Sequence, residues 1–241
     1  MGITQLIDSF YIHLPKKTYA KAPVMGQICR VPILHLNQIP IVFDVERADP
    51  EEHYATKFSI RNLREDDFRA KGRLPIKMLN LRATEVPFLH KAKKRPVVIV
   101  ATEPTLFDDI AAKLKPMGRR HLQEDCIVVA PIYSIEIPEK PGGFPPIMTA
   151  RIRALRYKQF FYLPVESEFG SVGGIVRLDR LQVINSRHPA VYSPLPYALG
   201  EDALAALLGM VHTWLGIEPD SDHLALMELL GETLPVIVAD E

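Results

Sequence analysis

Short aliphatic runs separated by turn residues constrain this chain most. Val97–Ala101 (VVIVA) and Cys126–Ile135 (CIVVAPIYSI) are rich in β-branched residues and uncharged, so each reads as a buried strand. Gly26–Leu36 (GQICRVPILHL) and Gly174–Ile184 (GIVRLDRLQVI) share that character, with charges set among the aliphatic residues. From Gly200 the period changes. Leu204, Leu207, Leu208, Val211, Trp214 and Leu215 follow helical spacing, with Glu201 and Asp202 at the helix's positive end. A second helical segment, SDHLALMELLGE, has Ser221 or Asp222 as its cap, and PVIVADE closes the chain as a strand. Strands first and helices last predict an α+β fold: a small barrel or bent antiparallel sheet with helices packed at one end.

The 241 residues suffice for a sizeable core, in one large domain or two small ones. No apolar run approaches the roughly 20 residues that span a bilayer, and MGITQLIDSF lacks the order of a secretory signal. Two cysteines, Cys29 and Cys126, make neither a disulfide framework nor a four-ligand zinc set. The expectation is a cytoplasmic protein with no membrane segment, no metal and no cofactor. Net charge is zero but divided. The first 187 residues hold all 29 Lys and Arg against 20 acids, and the last 54 hold nine acids alone. A basic body of this kind suits a polyanion. GxGxxG, GxxxxGK[ST] and GxSxG are all missing, which disfavours nucleotide-dependent chemistry and serine hydrolysis.

The domain reading is an N-terminal arm over 1–25, a barrel domain over 26–216 interrupted by an insertion at about 37–88, and an acidic extension over 217–241. Within the insertion IPIVFDVE is strand-like, while RNLREDDFRAKGR is a solvated short helix or loop. TEPTLFDDIAAKL reads as a short helix with Thr105 as N-cap and Asp108 and Asp109 in its first turn. PEKPGGFPP is a loop.

The stretch VRLDRL places Arg177 and Asp179 two apart, so a strand would project both from one face. A surface ion pair is the plain reading. GQICRV, KKRPVVIVA, CIVVAPIYS, and GIVRLDRLQVI followed by LGEDALAALLGMVHTWLG together resemble, in that order, the PemK/MazF-type toxin family. The resemblance covers Gly26–Leu36 and Lys93–Gly216, about half of the chain. It implies an SH3-like β-barrel, a homodimer, and metal-independent, sequence-specific cleavage of single-stranded RNA to a cyclic phosphate and a free 5′-hydroxyl. An antitoxin partner is implied too. The alternatives are a non-catalytic RNA- or protein-binding member of the same fold, or a barrel that inhibits a topoisomerase.

On that reading Asp179 is the base for the 2′-hydroxyl and Arg177 the cation beside it. Some members of the family assign the arginine at this position as general acid. Arginine hardly deprotonates, so electrostatic stabilisation with a proton delivered through water fits equally. Arg95 matches the phosphate-gripping arginine of the family's RP motif, and its planar fork suits that task. Tyr133 stands where the family has a catalytic threonine, and Ser134 is the neighbouring hydroxyl. His90 is read as an exposed loop residue. Lys93, Lys94, Arg151, Arg153, Arg156 and Lys158 are the candidate RNA contacts, with Tyr157 or Phe160 stacking unpaired bases. The acidic extension is read either as packed helix and strand or as a cover for the basic surface in cis.

Overall fold

The computed structural model describes residues 2–35, 39–46, 51, 54, 56–68, 85–102, 112–113, 116, 126–135, 144–166, 173–186, 188–232 and 234. The expected caps Thr105, Asp108 and Asp109, the PEKPGG part of the proline–glycine loop and all of the closing PVIVADE lie outside them. The fold is α+β with mostly antiparallel strands in an open sheet.

The strands are β1 (Tyr11–His13), β2 (Gln27–His35), β3 (Ile41–Glu46), β4 (Lys57–Asn62), β5 (Phe88–Leu89) and β6 (Lys91–Thr102). β7 (Cys126–Tyr133), β8 (Phe160–Leu163), β9 (Gly174–Arg177), β10 (Gln182–Asn185) and β11 (Ser193–Leu199) complete them. The helices are α1 (Lys16–Tyr19), α2 (Pro146–Arg153), α3 (Glu201–Trp214) and α4 (Ser221–Glu232). Two compact units result. One joins Met1–Pro32 to Lys94–Glu241, and the other is Ile33–Lys93.

The larger unit carries an eight-stranded sheet ordered β1-β11-β2-β6-β7-β9-β8, with β10 also paired to β7. One face of this sheet presents Ile28, Val98, Ala130, Ile132, Phe161 and Val176 to the core, where Leu207 and Met210 of α3 pack on them. Residues 1–25 do not stand off as an arm: Ile3, Ile7, Phe10 and Tyr11 are buried in that core, and β1 pairs with β11. The extension likewise joins the fold, since Leu230 of α4 and Leu234 sit in the same core. Truncating 217–241 would therefore open a cavity as well as remove acids.

The stripe on α3 is rotated from the expected one. Its buried positions are Ala203, Ala206, Leu207, Gly209, Met210 and Val211, whereas Trp214 and Leu215 are exposed. Small residues set that rotation by letting α3 approach closely. At Gly209 a Cβ would stand 2.7 Å from Cε1 of the buried His223 of α4. The backbone N–H of His223 donates to Asp220 Oδ1 at 2.8 Å, so Asp220, not Ser221 or Asp222, caps α4.

Burial depresses the pKa of His223; Asp220 opposes this, and His212 adds to it. The unfolded chain thus takes up its proton first as pH falls below about 6.5, the ordinary histidine value, and stability is lost in that window. Melting temperature is expected to drop between pH 7 and pH 5, and His223→Leu to flatten that drop. An equally steep fall in the variant would exclude this histidine as its source.

The smaller unit is a three-stranded antiparallel sheet ordered β4-β3-β5. Its charged stretch is not merely solvated. Arg61 bonds Asp44 at 2.7 Å and Asp67 at 2.7 Å, and Asp67 is only 1% exposed. Asp67 also accepts the Arg64 backbone N–H at 2.8 Å, tying the short 3-10 turn Glu65–Phe68 to the strand. A carboxylate this deeply buried requires such partners.

Candidate functional site

Sheet register carries several of the predicted side chains to one place. β6 and β7 pair with Val97 opposite Pro131, so two residues further along the ladder Arg95 stands opposite Tyr133. Tyr133 is also opposite Ile175 of β9, and Arg177 is opposite Phe160 of β8. Alternation then puts Arg95, Tyr133, Ile175, Arg177 and Phe160 on one face, opposite to the main core. Helix α2 contributes Ile152 and Met148 to a second apolar cluster on this face, around Phe160 and Ile175.

Two cations meet over one ring. The Arg95 guanidinium carbon lies 4.4 Å from the Tyr133 ring centroid, and that of Arg177 lies 5.6 Å from it. Arg177 also lies 5.2 Å from the Phe160 centroid. Both distances to Tyr133 are within cation–π range. Like charges repel, and Asp179 supplies the counter-charge. Arg177 Nε donates to its Oδ1 at 2.6 Å, while Nη2 donates to Oδ2, making a bidentate pair. Arg180 Nε stands 3.9 Å from the same Oδ2.

The pair forms for a different reason than strand alternation. β9 ends at Arg177, and Leu178–Arg180 is a 3-10 turn. The turn buries Leu178 and swings Asp179 back onto the arginine two residues before it. Both side chains are 24% exposed, so water and a solute reach them. Burial alone would raise the Asp179 pKa, but the hydrogen bond and charge of Arg177, assisted by Arg180, hold it below the usual carboxylate value. Arg177 is raised in turn, chiefly by the Asp179 bond. At neutral pH the pair is carboxylate and guanidinium.

Arg95 is the less satisfied cation. Its Nε is buried with no hydrogen-bond partner among the described residues. A donor in that state is costly, and an anion held there would satisfy it. The arrangement therefore suits a phosphate, with the guanidiniums of Arg95 and Arg177 both packed against the Tyr133 ring.

The other candidates are distributed. Ser134 follows the end of β7 and is exposed, so strand alternation no longer sets its direction. Lys93 and Lys94 are exposed on β6, where Lys94 Nζ donates to Ser193 Oγ at 2.8 Å. Arg151 and Arg153 end helix α2, so the basic stretch RIR is helical and only Phe160–Leu163 is strand. Arg153 is held against Tyr162, 4.9 Å from its centroid, and donates to its hydroxyl at 3.2 Å. That makes it a packing residue in this fold. Arg156 is exposed, with Nη1 beside Gly231 of α4, and Lys158 is exposed. His90, read as an exposed loop residue, is half-buried with its ring 6.1 Å from Phe88 and its Nδ1 buried and unpartnered among the described residues.

Phe144 and Arg180 are two neighbours of the site that were not assigned to it from sequence, whereas the sequence already marks Tyr157 as a base-stacking ring. Phe144 and Tyr157, both half-buried, lie 6.1 and 6.0 Å from Phe160. They extend the aromatic cluster around Phe160. Arg180 stands next to Asp179, and its signal was the second arginine of RLDR. Among the described residues no cluster of three His, Cys, Asp or Glu is placed to hold a metal ion, and no helix is long and apolar enough to cross a membrane.

Compared with family models, with curated proteins and with solved structures, the chain has no match.

Proposed function

We propose that this chain is an endoribonuclease that cuts single-stranded RNA without a metal ion, through attack of a ribose 2′-hydroxyl on the adjacent phosphorus. One observation carries the reading: two arginines from separate strands meet over Tyr133, and a carboxylate is bound to one of them. The sequence resemblance to PemK/MazF-type toxins supports it, with an SH3-like barrel as the finer description of the sheet and the cytoplasm as the place of action.

Arg95 and Arg177 hold the scissile phosphate and stabilise the charge that gathers on the phosphorane. As phosphate engages Arg177, Asp179 is released from its bidentate contact and accepts the 2′-hydroxyl proton. The O2′–P bond forms, the P–O5′ bond breaks, and water protonates the departing 5′-oxygen. The Tyr133 hydroxyl donates to a phosphoryl oxygen in place of the family's threonine. Tyr157 and Phe144 offer π-faces for the flanking bases, and Lys93, Lys94, Arg156 and Lys158 add backbone contacts.

The closed Arg177–Asp179 pair favours a second reading, a protein that binds RNA without cutting it. Incubating the purified chain with single-stranded RNA in EDTA separates the two. Discrete fragments ending in 2′,3′-cyclic phosphate are expected, and salt-sensitive binding without fragments would favour the second reading.

A further inference from the structure

The sheet of residues Ile33–Lys93 is built inside out for a soluble element. Its register pairs Val45 with Phe58, Phe43 with Ile60, and Ile41 with both Asn62 and Leu89. Paired residues share a face, so Ile41, Phe43, Val45, Phe58, Ile60 and Leu89 form one surface, with Asn62 its polar member. The opposite face carries Asp44 and Arg61 together with Val42, which is 1% exposed. Burial and ion-pairing are thus on the mixed face, while the apolar face meets solvent: Phe58 is 58% exposed and Ile60 66%. Scattered exposed apolar residues need no explanation, but a contiguous apolar sheet face marks a docking surface.

We propose that a second copy of this chain covers this face, by sheet-on-sheet packing about a two-fold axis. Three features commit the face to a copy of itself. It carries no charge among its described side chains, so its complement must also be apolar, flat and uncharged; the chain supplies such a face on every copy. It is already ordered, with Phe43 and Phe58 stacked at 5.0 Å and 13°, so docking freezes few side chains. Its exposed area is of the right order. These six side chains leave roughly 400 Å² per copy in water, and two-fold pairing that also covers the exposed Asn62 and the strand backbone between them approaches about 1,000 Å², the lower bound of a specific interface. Aligned packing of two twisted sheets about 10 Å apart would let Phe58 and Ile60 of each copy interleave.

The proposal is independent of the nuclease reading, because its test measures mass alone. Sedimentation velocity of the full chain at micromolar concentration is expected to give a dimer. Ile60→Lys, at a position largely in water, is expected to shift the population to monomer with an unchanged circular dichroism spectrum. Val183→Lys, on β10 and 67% exposed, should remain dimeric. A second variant, Phe58→Glu, covers the case in which Ile60→Lys misfolds. A monomeric wild-type chain, or a dimer that survives both substitutions, would overturn the assignment.

Discussion

Asp179→Asn is expected to lower the rate of RNA cleavage by on the order of 10²–10⁴, the range a positioned base contributes. The amide keeps the shape of the carboxylate and can still touch Arg177, but it cannot accept the 2′-hydroxyl proton. RNA affinity should hold or rise, because a negative charge beside the phosphate has gone and Arg177 is freed from its ion pair. Loss of cleavage with binding retained is the signature, read from single-turnover rates beside an equilibrium titration. Because Arg177 holds the carboxyl below its ordinary pKa in the free protein, the wild-type kcat/KM should show no acidic limb from this group between pH 5 and pH 7. Full activity in the variant would remove Asp179 from the mechanism.

The largest structural effect is expected at Gly174→Ala. Gly174 opens β9 at φ +128, a conformation side chains rarely adopt, and lies against the end of β7. A Cβ there would run into the Tyr133 carbonyl oxygen, 2.9 Å from the carbonyl carbon and 3.0 Å from Ser134 Cα. All are backbone atoms or backbone-anchored, so nothing flexible can yield. Strain and overpacking together predict a loss of about 2–5 kcal/mol, visible as a lower denaturant midpoint with an unchanged slope. The surviving folded fraction should cleave poorly too, since the displaced segment carries Tyr133. A midpoint that moved by under about 1 kcal/mol would contradict the crowding described here.

Several elements could be read from the chain because one face of each decides its structure. The β-branched run 97–101 lies in β6, the run 126–135 lies in β7 up to Tyr133, and the helical period after Gly200 gives α3 almost to its ends. The stripe on α3 misled because Ala203, Ala206 and Gly209 look neutral in sequence, yet their small size draws the helix inward. RIRALRYKQFFY conceals a helix end. Leu155, at φ +55, turns the chain out of α2 where glycine would have announced the stop.

The site was legible by residue type and not by geometry. Arg177 and Asp179 do meet, but through a 3-10 turn that buries Leu178, which no two-residue alternation predicts. The meeting of Arg95 and Tyr133 depends on the register of β6 and β7, strands separated by residues 103–125. Phe144 joins because α2 folds back over the sheet, a tertiary consequence without a local signal, whereas Tyr157 is marked by its place in the basic and aromatic stretch. The apolar face of the smaller sheet escaped notice because KFSIRN reads as ordinary alternation, and only the pairing shows which side meets water.

The central claim is that the basic cluster around Tyr133 drives an attack by the RNA's own 2′-oxygen. The most direct measurement maps the cut position on a short single-stranded RNA in EDTA, then replaces that one ribose by 2′-deoxyribose. The account predicts that the modified strand binds with similar affinity and is not cut at that position. Continued cutting there would show that another nucleophile acts, and would contradict the account at its root.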